Sequence, residues 1–363
     1  MTADDRRTTF EHSAGRVVRG MSDQLSPTAP AEAVEWYLSH RETELSRSSR
    51  QNQRYRLNRF LEWCSENEIE DMTSLRPRML ARYRLHRSEQ VKPVTLAGEL
   101  QTLRVFLDFC ASIEAAPGGL REHVQIPNVD REDESKDELL ENDRAAALLD
   151  NLSRFAYASV EHVVITLTWH TGMRLGTLRS IDVEDVDSDD GHLALRHRPD
   201  SGTPLKNGQR AERLVAIGSD HMRMLSDYIQ TTRPAVTDDY GRRPLIATEQ
   251  GRAAPGTIRN WVYEATQPCS FGSCPHDEDP TSCDFRQYGQ GGGCPSSRSP
   301  HGIRRGAITH HLRTGVPLEV VSDRMNVSDD VLEQHYDRRS QYERMANRRE
   351  FLDAIDMEFR EVE

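Results

Sequence analysis

The stretch His301-Gly302-Ile303-Arg304, closed about thirty residues later by Glu333-Gln334-His335-Tyr336, decides how this chain of 363 residues is read. After Arg304, Ile308 and Leu312 fall four apart and Gly315 ends the pattern. Val316-Pro317 starts a second short helix, in which Leu318, Val321 and Met325 repeat at three and four. Ser328 is placed to cap a third, with Asp329 and Asp330 in its first turn, where carboxylates suit the helix dipole. Three short helices are expected, with a His/Arg pair opening the first and Tyr336 in the third.

The residue types carry a chemistry. Arginine is a fixed-charge fork that fits two oxygens of a phosphate. Histidine exchanges a proton near neutrality. Tyrosine is one of the few side chains that form a covalent intermediate. On spacing alone the same residues also fit a solvated arginine, a capping histidine and a half-buried tyrosine.

Upstream, an apolar helix through Val163 and Trp169 ends at Gly172, and Arg174 opens the next element within Thr171-Gly172-Met173-Arg174-Leu175-Gly176-Thr177-Leu178. Two strand-like runs follow, at residues 192–198 and 212–217, joined through the turn dipeptide Asn207-Gly208. Lys206 precedes that turn. It is one of three lysines among 47 cationic side chains, the rest being arginine. A lysine kept in such a background points to a compact donor that can surrender a proton, the alternative being an incidental turn lysine.

Taken together these segments resemble the catalytic block of tyrosine recombinases, the family of phage-type integrases and Xer-like recombinases. Arg174, Lys206, His301, Arg304 and Tyr336 match the family's catalytic positions in order. Two positions depart from its pattern. Val327 stands nine residues before the tyrosine, where the family usually has His or Trp, and Thr177 stands where it has an acidic residue. The resemblance implies a site-specific recombinase or integrase that breaks and rejoins DNA strands. Tyr336 would form a 3′-phosphotyrosyl link, the two arginines would neutralise the phosphorane, Lys206 would protonate the leaving oxygen and His301 would assist proton transfer. It implies no cofactor for catalysis, double-stranded DNA as partner and four protomers assembling on two sites. A non-cleaving DNA-binding protein on the same fold and a type IB topoisomerase-like nicking-closing enzyme are the alternatives.

The expected architecture is mostly α with a small antiparallel β-sheet. Residues 1–27 read as a mobile tail without sustained periodicity. Residues 28–127 carry four helical patterns, near Val34–Leu38, from Ser48 through Trp63, over 76–87, and from Thr95 through Cys110. Their order resembles the helical core-binding (SAM-like) domain that precedes recombinase catalytic domains. Arginines crowd the second and third, and Arg47, Arg50, Arg54, Arg82 and Arg84 are candidate phosphate contacts; such arginines also simply coat solvated helices. The acidic run 128–143 reads as a linker, 144–340 as an α+β catalytic domain, and 341–363 as a C-terminal helix.

A net charge of −12 runs against the basic footprint usual in DNA binders. An acidic chain using arginine over lysine resembles proteins adapted to high internal salt, although GC-rich coding sequence also favours arginine. At about 1 M salt the Debye length is about 3 Å, so net charge scarcely opposes DNA and local contacts decide. No run of 18 apolar residues suggests a membrane span, and the first residues lack a signal-peptide core. A cytoplasmic protein is expected. Cys269, Cys274, Cys283 and Cys294 cluster in an insertion at 267–296 with little core of its own. That favours a structural zinc on four thiolates, with His276 an alternative ligand; an iron–sulfur cluster or unliganded thiols are the other readings. Cys64 and Cys110 sit at apolar helical positions and read as core thiols.

Overall fold

The computed structural model describes residues 25–129 and 138–336, together with positions 342, 345, 346 and 349. The expected tail up to residue 24, half of the linker and nearly all of the C-terminal segment lie outside the described residues. The chain divides into two compact units, Met1–Lys136 and Asp137–Glu363. No helix among the described residues is long and apolar enough to cross a membrane.

The first unit is helical: α1 (Pro30–His40), α2 (Arg47–Glu66), α3 (Pro77–Ser88) and α4 (Pro93–Ser112). Three of these start with proline in the first turn, where its missing N–H costs nothing. Ser46 caps α2, its hydroxyl accepting from the Ser49 N–H at 3.2 Å. Phe60, Trp63, Tyr83 and Phe106 pack edge to face or stacked in one buried cluster with Leu100 and Leu103. Each such side chain contributes roughly 1.5–3 kcal/mol on burial. The Arg87–Glu99 pair, at 2.9 Å on both forks, ties α3 to α4 from inside.

The second unit runs α5 (Asn142–Phe155), α6 (Val160–Thr171), α7 (Leu175–Ser180), β1 (Val186–Asp187), β2 (His192–Leu195), β3 (Arg213–Ala216) and α8 (Ser219–Asp227). After these come β4 (Ala247–Thr248), β5 (Gly251–Arg252), α9 (Pro255–Thr266), α10 (Pro300–Arg313), α11 (Leu318–Met325) and α12 (Asp329–His335). The antiparallel sheet β1-β2-β3 pairs Leu193 with Val215 and Leu195 with Arg213. Helix α6 is buried along nearly its whole length and lies at the centre of the core, with Ile303 and Ala307 of α10 in the same cluster.

Two details differ from the sequence reading. The end of the acidic run is not linker: Leu140 is fully buried and its N–H donates to the Gly302 carbonyl at 3.1 Å. Gly306 permits this approach, because a Cβ there would collide with the Leu140 carbonyl and Trp169. Helix α9 and the short strands β1, β4 and β5 also went unread, the strands because two residues carry no alternation.

Candidate active site

Helix α6 ends at Gly172, whose φ of 57° lies in the left-handed region; any side chain there would be strained and would also strike Met325. The turn releases the chain so that Arg174 stands extended just ahead of α7, half-buried. In α10, Ser299 caps the helix with its hydroxyl accepting from Gly302 N–H at 3.0 Å. His301 and Arg304, one turn apart, then share a face. Arg304 is 3% exposed.

The arginines converge on the C-terminus of α11, where the chain turns through Asn326 in the left-handed region at φ 49°. Arg304 donates one terminal NH to the carbonyls of Gly172 and Met325, the latter at 2.8 Å. Arg174 donates to the Asn326 carbonyl at 2.8 Å, and the second NH of Arg304 reaches the same oxygen at 3.5 Å. Burial, and then the charge of Arg174, bring the Arg304 pKa down to about 10, with Tyr336 acting the other way. Burial also lowers that of Arg174, again partly offset by Tyr336. Two guanidiniums held by neutral carbonyls form a concentrated positive site that an anion would satisfy.

Tyr336 closes α12, its N–H donating to Leu332 O at 2.9 Å. It is half-buried against a cluster of Ile308, Leu312, Val321, Met325, Val327 and Leu332. Ser328 occupies the cap position of α12 with no side-chain cap bond. His301 is exposed on α10, although neighbouring protein crowds it. That crowding, and then Arg304, Arg305, Arg174 and Lys206, hold its pKa below the usual histidine value. Lys206 is exposed in the loop between β2 and β3. The base of that loop is pinned by Arg198 to Asp185 at 2.6 and 2.8 Å and by Arg242 to Thr203 at 3.0 Å. The Leu205 N–H also donates to His197 Nδ1 at 2.9 Å.

Sequence periodicity missed a third arginine. Arg213 of β3 donates to Ala211 O at 2.9 Å and to Arg324 O at 3.0 Å. Burial depresses its pKa to about 10. Its signal was the period of two, which puts Arg213 on the same strand face as buried Val215.

Residues 138–343 match the phage integrase family, and residues 35–112 match the phage integrase N-terminal SAM-like domain. The chain belongs to the phage integrase family. It is a tyrosine site-specific recombinase by class. Among named relatives, tyrosine recombinase XerD of Staphylococcus epidermidis is 23% identical over 238 residues, covering 65% of this chain and 68% of that protein. Tyrosine recombinase XerC of a Mycobacterium sp. (strain KMS) is 25% identical over 199 residues, 54% of each. The fold is shared with the Tn1549 transposon integrase solved with a circular intermediate DNA, at a TM-score of 0.64, 12% identity and 89% and 99% coverage of this chain and that one. It is shared also with the lambda integrase dimer bound to a COC′ core site, at 0.61, 11%, 87% and 79%.

The Val327 side chain is buried in the cluster of Leu332 and Tyr336 and offers no hydrogen-bond donor. Thr177 is likewise buried, in α7. Of the arginines proposed to hold phosphate in the helical unit, Arg50 pairs with Glu42 at 2.7 Å and Arg54 forks onto Glu35. Arg84 donates to Gln125 O at 2.9 Å, Arg82 reaches Asn67 at 3.4 Å, and Arg47 is exposed. The helix coat is thus partly self-neutralised.

The four clustered cysteines are not gathered. Among the described residues the one trio of potential ligands within reach of a common ion is Asp187, Asp190 and His192, an acidic turn that includes no cysteine. The insertion closes through other contacts. Gln267 Nε2 donates to Phe285 O at 2.7 Å, Arg286 bonds Ser270 at 2.7 Å, and Phe285 packs on Gly293. Cys294 is buried and the other three cysteines are half-buried, all as free thiols. No three of the four sulfurs lie within reach of a common ion as placed. Cys64 and Cys110 are buried in the helical core, where burial pushes both thiols up to about 12.

Proposed function

We propose that this recombinase cleaves and rejoins double-stranded DNA through Tyr336. The observation that carries the reading is the convergence of Arg174 and Arg304 on the Asn326 carbonyl, with Tyr336 near enough to act on the charge of both. The Tyr336 oxygen attacks a backbone phosphorus, the bond to the 5′ oxygen breaks, and a 3′-phosphotyrosyl link forms with release of a 5′-hydroxyl. The two guanidiniums stabilise the charge that develops on the non-bridging oxygens, a role worth several kcal/mol in a water-poor site. Lys206 gives its proton to the leaving oxygen. His301, kept neutral near pH 7 by its surroundings, takes or relays the proton of Tyr336. The phosphodiester energy is stored in the covalent link, so strand rejoining runs the same steps backward with no cofactor.

Structural neighbours solved with DNA support DNA as partner. Assembly of four protomers on two sites is part of this proposal and is testable by crosslinking on synaptic DNA. The acidic, arginine-rich composition supports action at high salt, tested by DNA affinity that persists near 1 M. A structural zinc on Cys269, Cys274, Cys283 and Cys294 rests on thiolate chemistry alone. Zn–S bonds of about 2.3 Å would require the insertion to close around the ion.

The deciding experiment uses nicked duplexes that trap the covalent link. Tyr336→Phe should abolish adducts while DNA binding persists. Adducts that survive the substitution, or a phosphotyrosyl peptide mapped to exposed Tyr342, would overturn the assignment.

A further inference from the structure

Three consecutive carbonyls at the end of α11 are taken by three arginines: Arg324 O by Arg213, Met325 O by Arg304 and Asn326 O by Arg174, at 3.0, 2.8 and 2.8 Å. The turn that aims these carbonyls is the left-handed residue Asn326. Glycine would adopt that backbone at least cost, whereas asparagine tolerates it and brings a side chain. That side chain does not face solvent alone. Its Oδ1 accepts from Asn207 Nδ2 at 3.1 Å, and Asn207 directly follows Lys206. Up to Leu205 the loop is fastened by Arg198, Thr203 and His197. Beyond Leu205 the Asn207–Asn326 amide pair ties the loop beside Lys206 to the turn that holds Arg174 and Arg304, while Arg213 bonds the Ala211 carbonyl where the loop enters β3.

We infer that Asn207 and Asn326 form a latch that positions Lys206 over the leaving oxygen. The latch couples the lysine's loop to the same residue whose carbonyl holds Arg174 and Arg304. The proton donor and the phosphate clamp are then set by one turn of chain, although they come from segments more than a hundred residues apart in sequence. Neither asparagine touches the reacting atoms, so both are positioning residues. The inference rests on the cleavage reading above, in which Lys206 is the acid.

Asn326→Gly is the informative variant, because glycine keeps the left-handed turn and removes only the amide. Single-turnover cleavage is compared on two nicked duplexes, one with an ordinary phosphodiester and one with sulfur replacing the bridging 5′ oxygen. The thiolate leaves without needing a proton. A net hydrogen bond of ordinary strength predicts a loss of roughly 2- to 10-fold on the oxygen substrate. The sulfur substrate should be nearly unaffected. Asn207→Ala should give the same loss, and the double variant no further loss, since both remove one interaction. Melting temperatures within a degree or two of wild type check that the turn persists. Equal losses on both substrates, no loss, or additive losses would overturn the latch while leaving Tyr336 chemistry standing. A wild-type protein that forms no adduct with either duplex would instead sink the cleavage reading, and the latch with it.

Discussion

Arg304→Gln separates a catalytic charge from a structural strut. The guanidinium is almost wholly buried and its bonds to Gly172, Met325 and Asn326 are all to backbone carbonyls. Burial first and Arg174 second bring its pKa from 12.5 to about 10. At about 1.36 kcal/mol per pH unit, holding the cation there costs about 3 kcal/mol of folding free energy. Glutamine removes the charge and still donates to one carbonyl, while the lost bonds cost about 1–3 kcal/mol. The two effects offset, so stability should stay within about 2 kcal/mol of wild type. For a unit of this size that is a melting change below about 8 °C. Cleavage should fall by about 10²- to 10³-fold, the usual loss when one donor to a developing charge is removed. Calorimetry and single-turnover covalent capture read the two quantities on the same preparation. A melting drop well beyond about 10 °C with activity lost in proportion to unfolding would show that Arg304 is a strut. Undiminished cleavage would remove it from the mechanism.

His301 protonates below the usual histidine range, so its neutral form persists into mildly acidic solution. The cleavage rate should hold as pH falls to about 6.5 and drop only below that, and His301→Asn should erase that acid limb; a fall centred at or above 6.5 contradicts the assignment. In the helical unit, Arg47→Ala should weaken duplex binding and reduce the salt slope by about 1. Arg54→Ala should change both less, because Glu35 already forks onto Arg54; equal losses would show that Glu35 yields to a phosphate. Protein purified under reducing conditions should carry about one zinc per chain with its insertion thiols protected from alkylation, and Cys283→Ser should release it. Absence of metal with four reactive insertion thiols would leave the open arrangement as the native one.

The sequence alone determined most of the helices and their order and the hairpin that holds Asn207-Gly208, and it named Arg174, Lys206, His301, Arg304 and Tyr336 as candidates. Those features are local: a period of 3.6 or 2, a glycine stop, a turn dipeptide, or a residue type at a fixed place along the chain. Helix α9 was missed although Ile258 and Val262 stand four apart after Pro255, because its pattern is short and leads into the cysteine-rich insertion. Only the tertiary structure decided which cations are buried and what they hold. Arg304 meets Gly172 across 132 residues and Arg174 meets Asn326 across 152, separations at which no periodicity carries information. The same holds for Arg213, for the latch between Asn207 and Asn326, and for the glutamates that neutralise Arg50 and Arg54. It holds for the cysteines as well. Their spacing shows that four thiols are near in sequence, but convergence on one point depends on the path of the chain between them. Here that path closes through Phe285, Gln267 and Arg286.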